Sequence, residues 1–149
     1  MKIDYYQFQL GNIKCVSLWD GDVDYKLESM VANGSIPDVE AALQAHNLPT
    51  EIITTPYAYL YVDTGKHKIL VDMGAGNLAP STGRLLESMQ DAGLTPEEID
   101  AIFITHAHPD HVGGALNNEG KPIFTNANYF ICKSEWDFWF SEEALVRSG

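Results

Sequence analysis

Apolar and polar positions along the chain change period several times, and each change marks an element. Tyr5 to Leu10 and Ile13 to Trp19 are β-prone runs separated by Gly11-Asn12, with Asp20-Gly21 as a second turn signal. They predict an opening hairpin or meander. From Pro37 to His46, PDVEAALQAH places Pro at a first helical position ahead of good helix formers, and Pro49 closes the segment. Tyr57 to Val62 and Lys68 to Asp72 form a second strand pair, joined across Thr64-Gly65-Lys66-His67. Between Thr82 and Ala92, Leu85, Leu86 and Met89 recur at helical spacing before Gly93. Thr95-Pro96-Glu97-Glu98 has the order of a capping box and feeds an apolar strand, Ala101 to Thr105, whose Ile102-Phe103-Ile104 suits a strand covered on both faces. Tyr129 to Cys132 repeats that pattern, and Ser134 is placed to cap a last helix through Trp136, Phe138 and Trp139. Strands alternating with helices predict an α/β, mixed-sheet layered fold.

Composition narrows the function. The 149 residues, 45% hydrophobic, suffice for one domain. Without repeats or a flexible linker, residues 1–149 are expected to form a single unit. Nine Lys plus Arg against 21 Asp plus Glu give a formal charge of −12, a surface that repels phosphate backbones and anionic lipid. Nucleic acid and membrane are therefore not expected partners. Neither a signal-type start nor a spanning apolar run is present, and a cytoplasmic location is expected. Cys15 and Cys132 lack paired spacing and are expected to be two buried free thiols.

The chemistry concentrates in His106-Ala107-His108-Pro109-Asp110-His111, followed by Val112-Gly113-Gly114. Three of the five histidines fall within these six positions. Imidazole and carboxylate at the end of a strand form a metal-binding edge. His106 and His108 can converge on one ion, while Pro109 turns Asp110 and His111 toward a second point. His46 and His67 sit at a helix end and a hairpin turn, where exposure is the expectation.

At these residues the sequence resembles the metallo-β-lactamase superfamily, whose signature is HxHxDH after a strand. Gly11-Asn12-Ile13 with Asp20-Gly21, Tyr59 to Gly65, Ile69 to Gly74, Gly83 to Leu86, Leu94 to Asp100 and Ser134-Glu135-Trp136 are similar to one branch. That branch holds methyl parathion hydrolase, N-acyl homoserine lactonases and related lactone or ester hydrolases. The resemblance implies an αββα sandwich of which this chain would be the N-terminal half, a mixed sheet with flanking helices. It implies two divalent metal ions, zinc first and manganese, cobalt or iron as alternatives. His106 and His108 would ligate one, Asp110 and His111 the other. Asp72 would orient a ligand from below, and Thr105 is a candidate support through its hydroxyl. Gly113 and Gly114 would let the backbone turn close to the site. Val23 to Pro37 is similar in position to a pocket-walling loop, with Tyr25, Leu27 and Met30 as wall candidates.

The implied reaction is hydrolysis of a lactone, ester or phosphotriester, a small-molecule substrate, by a metal-bound hydroxide, with Asp110 orienting it or passing its proton to the leaving group. Family members need three further ligands downstream, a His, a bridging Asp and a final His. No His follows His111, and Asp137, the only later Asp, sits in the helical EWDFWF segment, where a solvated position is expected. Two readings follow. The chain is the metal-bearing first half of such a hydrolase, stopping at Ser148-Gly149 short of its other ligands. Alternatively it is a non-catalytic or partner-completed half-domain, a homodimer or one awaiting a second chain, with weak metal binding. In either case the Trp136, Phe138, Trp139, Phe140 cluster is a candidate exposed patch.

Overall fold

The computed structural model describes residues 4–142, 144 and 146, so Ser148-Gly149 lie outside the described residues. They divide into two compact units, one running up to Gly21 and resuming at Tyr57, the other spanning Asp22–Pro56. Six strands form one mixed sheet in sequence order: β1 (Tyr5–Leu10), β2 (Ile13–Lys26), β3 (Ile52–Asp63), β4 (Lys68–Val71), β5 (Ala101–Ile104) and β6 (Asn128–Ile131). β1–β2 and β3–β4 pair antiparallel across short turns. β4, β5 and β6 are parallel, as strands joined by crossover connections must be.

The larger unit carries the core. Val16, Leu18, Tyr61, Leu70 and Ile102 point from the sheet into Leu85 and Met89 of α3 (Leu85–Asp91), with Leu94, Ile99 and Phe124 completing the cluster. Leu70 and Ile102 are in register on β4 and β5 and fully buried, worth about 1.5–3 kcal/mol each against exposure. Alternation puts Val71, Phe103 and Phe130 on the other face in a single register row. There the expectation of a strand covered on both faces does not hold: Phe103 is 46% exposed and stacks on Phe130 at 5.1 Å between ring centroids.

Several local readings need correction. Asp20-Gly21 is no turn; β2 runs through it. Gly21 takes φ 143° where the Ser81-Thr82 backbone would lie 2.0 Å from any Cβ. The signal was real but served a close approach. The helix expected to follow Ser134 is α5 (Lys133–Trp139), with Cys132 at its cap position and Ser134 inside its first turn. Cys132 is exposed, while Cys15 is buried as expected; both are free. Helix α3 starts at Leu85 because Thr82 Oγ1 is spent on the Gly76 and Ala79 carbonyls. The capping box at Thr95 is present but initiates only a 3₁₀ turn, Pro96–Glu98.

The smaller unit holds two short helices, α1 (Leu27–Met30) and α2 (Ile36–Ala45), the latter with Pro at its start. Of the wall candidates in this unit, Leu27 is buried and Met30 is 48% exposed. Among the described residues no helix is long and apolar enough to cross a membrane.

Candidate metal centre

The parallel pair β4–β5 ends on one side in two loops. β4 runs into Asp72-Met73-Gly74, and β5 into Thr105 and the His106–His111 segment, where Pro109–Val112 forms the single turn α4. The loops are stitched together by Asp72 N–H donating to Phe103 O at 2.9 Å and Met73 N–H to His111 O at 2.8 Å. Asp72 adopts φ 62°, left-handed backbone that a non-glycine residue holds only when its surroundings fix it. Its side chain shows what fixes it.

Asp72 is 4% exposed. Oδ1 accepts the Thr105 N–H at 2.8 Å; Oδ2 accepts the Thr105 hydroxyl at 2.8 Å and faces His111 Nδ1 at 2.7 Å. A buried carboxylate with three such partners satisfies its own desolvation only while both loops stay in place. The network also assigns the ring protons. His111 Nδ1 carries its proton toward Asp72. The Thr105 hydroxyl, having donated to Asp72, accepts from His106 Nδ1 at 3.1 Å. Both rings are thereby left with an Nε2 lone pair available to a cation.

His106 lies close to both neighbours, with ring centroids 4.6 Å from His108 and 3.9 Å from His111. His111 Nε2 stands 3.3 Å from Asp110 Oδ2. With Nδ1–H committed to Asp72, that nitrogen and the carboxylate oxygen repel unless they share a positive charge. The donor types thus fit a divalent ion. Yet among the described residues no group of three or more His, Cys, Asp or Glu is arranged to hold one. Two donors for each ion would be fewer than the three or four of a firm zinc site.

Glycines set how closely the loops approach. A Cβ on Gly113 would meet Ala75 O at 2.4 Å, one on Gly114 Met73 O at 2.2 Å, and one on Gly76 Gly113 O at 2.4 Å. Behind them a cavity of about 250 Å³ is lined by Asp20, Met73, Leu85, Gly114, Asn117 and Ile123, none of them a candidate ligand.

Three contributors escaped the sequence reading. Asp20, fully buried, accepts the Leu85 N–H at 2.6 Å and the Ala75 N–H at 2.9 Å, anchoring the loop after Asp72. The Tyr59 hydroxyl donates to Asp110 O, and burial together with the Asp20, Asp110 and Asp72 carboxylates pushes its pKa far up, so it stays a donor. Glu135 on α5 bonds the Ala107 amide. Only Asp20 had a local signal, and Asp20-Gly21 was read as a turn. His46 and His67 lie exposed, the latter in the β3–β4 turn. Asp137 pairs with Lys133 Nζ at 2.5 Å on the solvent side of α5.

The architecture and this strand-end cluster define a class: an α/β fold that gathers imidazole and carboxylate donors at one edge of a mixed sheet. Residues 54–117 match the family model of the metallo-beta-lactamase superfamily. Family match and solved neighbours together support that superfamily, and the six-stranded mixed sheet with its helices is its fold. AidC, a dizinc quorum-quenching lactonase solved with a product, shares 36% identity at a TM-score of 0.86 over 91% of this chain and 47% of its own. The hydrolase AbOPH shares 27% identity at a TM-score of 0.89 over 99% and 50%. Exodeoxyribonuclease WalJ of Streptococcus pneumoniae is 39% identical over 69 residues, 44% of this chain and 24% of that protein. The chain spans about half the length of these two solved relatives.

Proposed function

We propose that these residues form part of a metal-dependent hydrolase centre acting on a lactone or ester, with phosphotriesters in the same chemical reach. The observation that carries the reading is the Asp72-centred network, which turns Nδ1 of both His106 and His111 inward and leaves their Nε2 atoms free. His106, His108, Asp110 and His111 would hold divalent metal, zinc by the donor set and the dizinc neighbour. When bound, the metal supplies Lewis acidity toward a carbonyl or phosphoryl oxygen and activates water near neutral pH.

The protein's own groups do the rest. Asp72 keeps the His111 proton on Nδ1, and Thr105 relays the same constraint to His106. Asp110, about one-third exposed with its backbone carbonyl held by Tyr59, is the group that would orient water or pass its proton to the leaving oxygen. A firm site would use more donors than two for each ion. A small neutral substrate fits better than a polyanion. The chain's −12 charge opposes a phosphate backbone, which favours the lactonase likeness over the exonuclease one.

The test is a cobalt(II) titration of the protein followed by assays on an N-acyl homoserine lactone, a carboxylic ester and a phosphotriester. Cobalt binding lost in a His106→Ala, His108→Ala double variant, with lactone or ester turnover lost on chelation and in Asp110→Asn, is the expected result. Unchanged cobalt binding in the double variant would overturn the reading.

A further inference from the structure

Ala107 lies between two candidate metal donors, in a stretch belonging to neither strand nor helix. Its N–H finds an acceptor not on the backbone but 28 residues away, in Glu135 Oε1 at 2.9 Å. The same oxygen accepts the Trp139 indole N–H at 2.5 Å, one helical turn along α5. The Trp139 ring in turn stands edge-on to His108, 5.9 Å between centroids. Lys133 and Asp137 pair with each other in solvent, so α5 offers Glu135 and Trp139 to the loop and its other polar side chains to water.

We infer that Glu135 is a positioning residue for the His106-Ala107-His108 loop, with Trp139 holding its carboxylate in place. The inference rests on the metal-centre reading above. Rotation of the Ala107 peptide would swing the two flanking imidazoles apart; Thr105 restrains the His106 ring and the His111 and Val112 amides hold the His108 carbonyl, while Glu135 is the acceptor that fixes the peptide between them. Two N–H donors, the Ala107 amide and the Trp139 indole, converge on the same Glu135 oxygen, which fixes it as their shared acceptor. Glu135 touches no reacting atom in this scheme.

The experiment compares wild type, Glu135→Ala, Glu135→Gln and Trp139→Phe in the full protein. Two quantities are read: hydrogen exchange of the Ala107 amide and cobalt(II) affinity from visible absorption. Glu135→Ala is expected to open the Ala107 amide to exchange and weaken cobalt binding about 10- to 100-fold, the usual effect of losing a group that orients ligands. Glu135→Gln keeps the acceptor and restores most of both. Trp139→Phe removes one hold on the carboxylate and gives a smaller loss. Cobalt affinity of Glu135→Ala equal to wild type overturns the inference. So does Glu135→Gln as weak as Glu135→Ala, which would make charge rather than the hydrogen bond the cause. Should Glu135→Ala fail to fold, Glu135→Gln and Trp139→Phe decide between the same outcomes. Wild type that takes up no cobalt would overturn the metal-centre reading itself, a result distinct from either.

Discussion

The two ends of the β4–β5 pair use the same residue types to opposite effect. At the β3–β4 turn, Asp63, His67, Lys68, Glu98 and Asp100 crowd together; at the other end stand Asp72, His106, Asp110 and His111. The turn's carboxylates serve the backbone: Asp63 Oδ1 accepts the Gly65 N–H at 2.8 Å and Asp100 Oδ2 the Lys68 N–H at 2.8 Å. Lys68 and Glu98 pair in the open, each about one-third exposed. Across the sheet, Asp72 is buried and spends both oxygens on Thr105 and His111. What separates a solvated turn from a candidate metal centre is therefore what the carboxylate bonds and how far water is excluded, together with three histidines at one end against one at the other.

Asp72→Ala should break this contrast most. It strips the acceptor from the Thr105 amide and hydroxyl and from half-buried His111, three hydrogen bonds together worth about 2–4 kcal/mol of stability. Cobalt affinity should fall as well, about 10- to 100-fold. Chemical denaturation and a cobalt titration check both parts, and a variant as stable as wild type would remove Asp72 from its central place. Gly76→Ala should come next, at about 1–3 kcal/mol, since it combines positive φ with a Cβ 2.4 Å from Gly113 O. Denaturation midpoints measure it.

At the turn end, effects shrink. Burial, with Asp63, Glu98 and Asp100 nearby, pushes the Tyr61 phenol from 10.0 up to about 12. A raised folded-state pKa adds stability that is whole below pH 10 and is lost as the pH climbs through about 12, because the unfolded phenol ionises first. Melting temperature against pH should fall across that window in wild type and fall less in Tyr61→Phe. Lys68→Ala should matter least, a shift of the denaturation midpoint smaller than either variant above because the pair is open to solvent, and smaller still at high salt. A loss rivalling that of Asp72→Ala would dissolve the distinction between the two ends.

The same distinction explains what could be read from sequence. His106, His108, Asp110 and His111 announce themselves because their chemistry is packed into six positions, and the β3–β4 hairpin because turn and strand signals are local. Tyr59 and Glu135 stayed hidden. Their partners, Asp110 and Ala107, lie 51 and 28 residues away, and nothing in the neighbouring letters encodes such pairings. Asp20-Gly21 misled for a related reason: a glycine that admits another backbone looks, in one dimension, like a glycine that turns the chain. Ser134 does not cap α5 because the helix begins two residues earlier, with Cys132 at the cap position, a difference that tertiary packing readily imposes.

The glycine contacts at Gly76, Gly113 and Gly114 also bear on how such a site can diversify. Where backbones meet without room for a single methyl group, any side chain forces both loops to shift together. Exposed neighbours such as Asn77, Leu116 and Asn118 carry no such restriction, although they line the same cavity. Side chains can be exchanged at those rims, while the bare backbone behind them admits none without rearrangement.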